Sequence, residues 1–123
     1  MLFQQFVCMI IALSGTPGTG KTRIAGCLGP LLHAVVVHQH QLVRTIPYTI
    51  DSARNTKIVA VRHLQKAFDT LRTDKTVIIE GHLTHLLRID SVVVLRCNPA
   101  ELQKRLKRRK WPTQKIKENV MAE

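Results

Sequence analysis

Gly15-Thr16-Pro17-Gly18-Thr19-Gly20-Lys21-Thr22 meets the requirements of a phosphate-binding loop at every position: a glycine, four residues, then Gly-Lys-Thr. In such a loop the backbone N–H groups of the glycine-rich turn and of the following helix start point inward and cradle phosphate oxygens. Lys21 is expected to reach the same oxygens as a point charge, and the Thr22 hydroxyl to take one position on Mg²⁺. The flanks agree with this. Phe6 to Leu13 is an apolar run of the kind a buried parallel strand needs, and Ile24, Ala25 and Leu28 follow at helical spacing from Lys21.

The chain has 123 residues, which suits one domain and is too short for two. Hydrophobic residues make up 45% and charged residues 22%, an ordinary balance for a soluble globular protein. Nineteen Lys and Arg stand against eight Asp and Glu, a formal net charge of +11. The excess is local: nine basic residues lie between Arg96 and Lys117, opposed there only by Glu101, which predicts an anionic partner such as polyphosphate or RNA. Cys8, Cys27 and Cys97 are odd in number and two sit in apolar segments, so buried free thiols in a reducing compartment are expected. The N-terminal apolar run is far below the roughly 20 residues of a membrane span and has neither a basic flank nor a cleavage site. A soluble, cytoplasmic protein follows from that reading.

Reading onward, Gly29-Pro30 is expected to interrupt the first helix. Ala34–Val37 reads as a second strand, His38–Val43 as one helical turn and Arg44–Asn55 as loop. The apolar spacing of Ile58, Val61, Leu64, Phe68 and Leu71 predicts a long helix from Thr56 to Leu71. Val77–Ile79 and Val92–Leu95 read as the third and fourth strands. Asn98-Pro99-Ala100-Glu101 carries a helix start, with Asn as cap, Pro at the first position and Glu completing a capping box. Trp111-Pro112 ends that helix, and Ile116 and Val120 mark a last amphipathic segment. Strands alternating with helices imply a parallel sheet covered on both faces, with ligands at the carboxyl ends of the strands. Lys21, Thr22, Glu80, His82 and Arg96 are therefore expected on one rim. Glu80 stands where an acidic residue holds the magnesium shell or orients a nucleophile. His82 could hold a water or tune the γ-phosphate surroundings, and Arg105, Arg108 and Arg109 could close on the phosphates. Trp111 reads as a packing residue, with adenine stacking as the alternative. His82/His85 and His38/His40 each lack a third ligand in the sequence, so neither pair makes a zinc pattern, and His38 and His40 are expected to face solvent.

These residues together carry a resemblance over nearly the whole chain. The phosphate loop, Glu80-Gly81-His82-Leu83-Thr84-His85-Leu86, Val94-Leu95-Arg96-Cys97-Asn98-Pro99 and Arg105 to Glu123 resemble the atypical adenylate kinases, the archaeal proteins and their eukaryotic nuclear counterpart, adenylate kinase isoenzyme six. The resemblance implies an α/β P-loop NTPase of the nucleoside-monophosphate kinase type, three layers (α/β/α) around a mostly parallel sheet. It implies a broad-specificity kinase that moves the terminal phosphate of ATP to AMP or a similar monophosphate, also hydrolyses ATP, and assists maturation of the small ribosomal subunit beside ribosomal protein uS11 and rRNA. The alternative reading is a nucleotide-dependent ribosome-assembly ATPase that binds RNA and has little kinase activity. On the same resemblance Gly15, Gly18, Gly20, Lys21, Thr22 and Arg23 bind ATP, with Thr22 and Glu80 holding its Mg²⁺. Lys21, Glu80, His82 and Arg109 carry catalysis, and Arg109 also faces ATP. The monophosphate-binding part would span residues 38–60 and a short lid residues 108–119 of a single domain, 1–123. The chain departs from the pattern at His38 and Ala60, where acidic residues are usual, at Glu80, where Asp is usual, and at Lys110, where glycine is usual. Asp51 and Arg54 fit. It also ends at Glu123, where a further helix and strand are usual, so a C-terminally shortened domain is expected.

Overall fold

A computed structural model describes residues 9–71 and 73–123. The part of the expected first strand formed by Phe6, Val7 and Cys8 lies outside those residues; its described part is β1, Ile10–Ser14. The other elements are α1 (Lys21–Leu32), β2 (Val35–His38), α2 (Gln39–Val43), β3 (Thr49–Asp51), β4 (Thr56–Ile58), α3 (Val61–Asp69), β5 (Val77–Glu80), β6 (Ser91–Val94), α4 (Pro99–Arg108) and α5 (Thr113–Ala122). Four strands form a parallel sheet in the order β2-β5-β1-β6, while β3 and β4 make a separate antiparallel hairpin.

Alternation along the central strands divides the core into two faces, as a strand period of two requires. Ala12, Val77 and Ile79 pack on one face with Leu42 and Val43 of α2 and Leu64 and Phe68 of α3. Leu13 and Ile78 pack on the other with Ala25 of α1. Helices thus cover both faces, giving the three-layer P-loop NTPase architecture. A third cluster of Leu102, Leu106 and Ile116 joins α4 to α5, and Trp111 packs against it. That contact is the packing role expected of Trp111.

Four local expectations need correcting. First, α1 continues through Pro30 to Leu32. The proline falls in the last turn, where a missing N–H costs a single bond, and the helix closes at His33 in the left-handed region. Second, Thr56–Ile58 is strand rather than helix. Ile58 and Leu71 are exposed and lie outside α3, and only Val61, Leu64 and Phe68 of the apolar series meet the core. Third, the Arg44–Asn55 segment holds β3, and Asn55, at φ +49°, turns the chain back into β4. Fourth, Cys27 is exposed on α1 and Cys97 is half-buried, so the thiols are not the deeply buried pair expected. The capping reading holds in one half. Asn98 Oδ1 accepts from Ala100 N–H at 2.9 Å, whereas the Glu101 carboxylate turns to Arg105. Among the described residues no helix is long and apolar enough to cross a membrane.

Candidate nucleotide site

All four sheet strands run the same way, so their carboxyl ends open on one rim. The loop after β1 reaches the start of α1 there, with Gly15 at φ +147°, Gly18 at +90° and Gly20 at +97°. Gly15 must be glycine on two counts. A Cβ there would take a left-handed φ and lie 2.5 Å from the Leu95 carbonyl oxygen. Leu102 and Leu106 of α4 seat directly on Gly18, and Arg105 Nη1 donates to the Gly18 carbonyl at 2.9 Å. The loop is therefore clamped between β6 and α4, which keeps its N–H groups in a defined arrangement.

Beside the loop lies a hollow of about 600 Å³ lined by Gly18, Gly20, Lys21, Thr22, Arg23, Glu80, His82 and Arg109. Its far wall is Gln39, His40, Val43 and Arg44 of the α2 segment, then Asn55, Thr56 and Lys57 of the hairpin, with Lys115 from α5. The volume falls within the range of small-ligand sites. Among the described residues, six cationic side chains line it (Lys21, Arg23, Arg44, Lys57, Arg109, Lys115) against the single carboxylate of Glu80. That imbalance attracts a polyanion.

Lys21 is buried, and its Nζ donates to the carbonyls of Gly15 and Thr16 at 2.9 and 2.8 Å. Burial pushes its pKa below the ordinary lysine value, Glu80 opposes that shift, and Arg109 adds to it. Thr22 Oγ1 donates to Glu80 Oε1 at 3.0 Å. The two residues expected at Mg²⁺ thus converge from α1 and the end of β5, and a hydroxyl beside a carboxylate is the oxygen chemistry that ion requires. Glu80 is buried at 4% exposure and also accepts from His38 Nδ1 at 2.7 Å. His38 is therefore not the solvent-facing side chain expected of it.

His82 reaches solvent at the edge of the hollow. Loss of water around its ring, with the charges of Lys21, His85 and Lys115, holds its pKa below the usual histidine value. A neutral imidazole is consistent with its bond, in which Gln39 Nε2 donates to His82 Nδ1 at 3.3 Å. Gln39 also accepts from Leu83 N–H at 2.8 Å, so this buried residue fixes the loop carrying His82. Gln39 gives no signal in the sequence, because a lone glutamine carries no motif and only the fold brings it to Gly81-His82-Leu83.

Arg96 departs from expectation. It lines a neighbouring hollow with Ser14, His82, His85 and Glu123, and its Nη2 donates to the Glu123 carbonyl at 2.6 Å. β6 is the edge strand beyond β1, which carries Arg96 past the loop rather than over it. Glu123 also accepts from Thr16 Oγ1 at 2.5 Å and from Cys97 N–H at 2.7 Å, tying the end of α5 to the phosphate loop. Of the three arginines, Arg109 enters the main hollow, Arg105 braces the loop and Arg108 is exposed. Asp51 and Arg54 form an ion pair in the hairpin, and Arg54 also grips Glu118 of α5 through two nitrogens.

Comparison with known proteins agrees with this geometry. A family model described as AAA domain matches residues 11–123. Three archaeal proteins named "Putative adenylate kinase" are similar to the chain. That of Methanocaldococcus jannaschii is 37% identical over 94% of this chain and 67% of its own length. That of Archaeoglobus fulgidus is 42% identical over 94% and 61%. That of Thermococcus kodakarensis is 38% identical over 94% and 64%. The chain spans roughly two thirds of the length of these relatives. With a glycine-clamped loop at the head of a parallel sheet and identity of this extent, the chain belongs to the AAA-domain family of P-loop proteins, and to the family of these archaeal adenylate-kinase-like proteins.

Proposed function

We propose that this chain is a nucleoside-monophosphate kinase that transfers the terminal phosphoryl group of ATP to AMP or a similar monophosphate. The convergence of Lys21, Thr22 and Glu80 at the phosphate loop, facing a cation-lined hollow, carries the reading. Phosphoryl transfer asks the protein chiefly for positioning and charge neutralisation. The loop N–H groups and Lys21 grip the β- and γ-phosphates, which requires the Lys21 ammonium to leave the Gly15 and Thr16 carbonyls. Thr22 and Glu80 would hold Mg²⁺, which when bound would supply positive charge to offset that of the phosphates. Arg109 and Lys115 approach from the lid side, residues 108–119, and stabilise charge on the moving phosphoryl group. The wall from residues 38–60 receives the acceptor, with Arg44 and Lys57 as its cationic contacts. An acceptor phosphate oxygen forms the new bond to the γ-phosphorus as the bridging bond to the β-phosphate oxygen breaks, and ADP departs. His82, neutral and held by Gln39, orients a water or the acceptor at the loop edge. Water in place of the acceptor makes the same site an ATPase.

A coupled assay tests this: ADP release from Mg-ATP should rise when AMP is added and fall at least tenfold in Lys21→Ala. An identical rate with and without AMP would refute the kinase reading.

One observation favours a second reading, a nucleotide-dependent factor that contacts RNA, with the ribosomal protein uS11 and rRNA that the family resemblance implies as its surroundings. Lys104, Lys107, Arg108, Arg109 and Lys110 are all exposed along α4 and its end. RNA binding that weakens with salt, and weakens further when Lys107, Arg108 and Lys110 are neutralised together, is the expected signature. Binding unaffected by salt or by those changes would remove it.

A further inference from the structure

His38, His40 and Glu80 form a group of donors that nucleotide binding does not use in full. β2 pairs with β5 so that His38 stands opposite Glu80, and side chains at paired positions of neighbouring strands leave the same face of the sheet. The first turn of α2 then brings His40 alongside, its ring centre 5.4 Å from that of His38. One nitrogen from each imidazole and one Glu80 carboxylate oxygen all lie within 4.8 Å of one another. The His38/His40 pair has no carboxylate beside it in the chain. The sheet supplies it from forty residues away.

We propose that His38, His40 and Glu80 bind a divalent transition ion of the zinc class at the rim of the hollow. Two imidazole nitrogens and a carboxylate suit Zn²⁺ or Co²⁺ and not Mg²⁺, which takes oxygen ligands. Metal–ligand bonds of 2.0–2.1 Å in a tetrahedral site place neighbouring donors about 3.3 Å apart. His38 and Glu80 are already closer than that, at 2.7 Å, and the ion replaces the proton between them. His40 is exposed, so its ring can swing in to close the remaining gap. Three protein ligands leave a fourth position open toward the hollow that His40 and Glu80 line, as in zinc sites that accept water or a substrate oxygen.

Occupancy has a consequence for the proposed kinase, and this part rests on that reading. Glu80 Oε1 also accepts from Thr22, so an ion held by the imidazoles withdraws Glu80 from the Thr22 partnership that Mg²⁺ needs. Zn²⁺ should then inhibit magnesium-supported turnover.

The test titrates the whole chain, free of nucleotide, with Zn²⁺ against a chromophoric chelator, and with Co²⁺ by visible absorption. One ion per chain is expected, with affinity near micromolar (about −8 kcal/mol) and a tetrahedral-type Co²⁺ band. His40→Ala should weaken binding at least tenfold and abolish the band, while its metal-free unfolding midpoint matches the parent. His85→Ala and Cys27→Ser should leave affinity unchanged. No Zn²⁺ uptake at tens of micromolar, or uptake insensitive to His40→Ala and His38→Ala, overturns the site. Zn²⁺ inhibition equal in parent and His40→Ala overturns the link to Glu80. The binding measurement needs no catalytic activity, so loss of the kinase reading leaves it intact.

Discussion

Replacing Gly15 by alanine tests whether the phosphate loop is clamped as described. The methyl group would stand 2.5 Å from the Leu95 carbonyl oxygen and 3.1 Å from Thr19 Oγ1, where ordinary contact begins near 3.4 Å. The first neighbour is backbone at the end of β6 and cannot rotate away, so loop and strand must part by close to an ångström. Holding alanine at φ +147° adds about 1–3 kcal/mol of backbone strain. Forcing a methyl group into a filled space adds a further 1–3 kcal/mol or so. A loss of roughly 2–6 kcal/mol is expected, a large share of the 5–15 kcal/mol typical of a domain. Two other glycines separate the contributions. Gly20, at φ +97°, has open space around its missing Cβ, so Gly20→Ala should show the strain alone. Gly26 lies inside α1, also in open space, and Gly26→Ala should gain about 0.5–1 kcal/mol from helix propensity. Urea unfolding followed by circular dichroism measures all three. The order should be Gly15→Ala least stable, Gly20→Ala next, parent, then Gly26→Ala. Should Gly15→Ala prove as stable as Gly20→Ala, the close approach of the loop to Leu95 would be wrong, and with it the packing that holds the loop N–H groups in place.

Three further predictions concern the lid side and the hairpin. Lys110 holds a left-handed φ of +58°, so Lys110→Gly should raise stability by up to about 1 kcal/mol in the same unfolding assay; a loss would show that its side chain contributes more than its backbone costs. Leu106 is fully buried in the cluster that seats α4 on the loop, and Leu106→Ala should cost about 2–5 kcal/mol and lower nucleotide affinity as well, read by titration at a temperature where the variant is folded. The Arg54 guanidinium holds the Glu118 carboxyl down at about 2, from an ordinary value of 4.5. A depressed carboxylate stabilises the fold above its unfolded pKa and loses that contribution as pH falls through the folded one. The link between hairpin and α5 should therefore persist at neutral pH and fade between about 4.5 and 2. Glu118→Gln should flatten that part of the pH–stability profile, and an unchanged profile would refute the coupling.

The elements read correctly from the chain are those whose signal is local. Gly15 to Thr22 carries its own spacing, Phe6–Leu13 and Val77–Ile79 are continuous apolar runs, and Asn98-Pro99 announces α4 through its cap. The hairpin is hidden in the sequence because Ile58 and Leu71 extend the apolar spacing of Val61, Leu64 and Phe68 and so imitate a longer helix. A signal was present: β-branched residues in Thr49-Ile50 and Thr56-Lys57-Ile58 flank the Ser52 to Asn55 turn. Strands of three residues give too little alternation to outweigh a helical period. The exposure of Cys27 is hidden for a related reason, since an apolar neighbourhood in sequence does not say which side of a helix meets the sheet.

By itself the amino-acid order determined the phosphate loop and the parallel α/β class, because backbone geometry around glycine and the spacing of apolar residues act over a few positions, and its local motifs, the loop with Glu80 to Leu86 and Val94 to Pro99, carried the resemblance to the family. Tertiary structure alone decided which distant side chains meet. It set Glu80 against both Thr22 and His38, brought Gln39 to His82, carried Arg96 out of the main hollow and tied Arg54 to Glu118. Those pairings follow from strand order and register, which arise from the whole core packing at once, and no short stretch of chain encodes them.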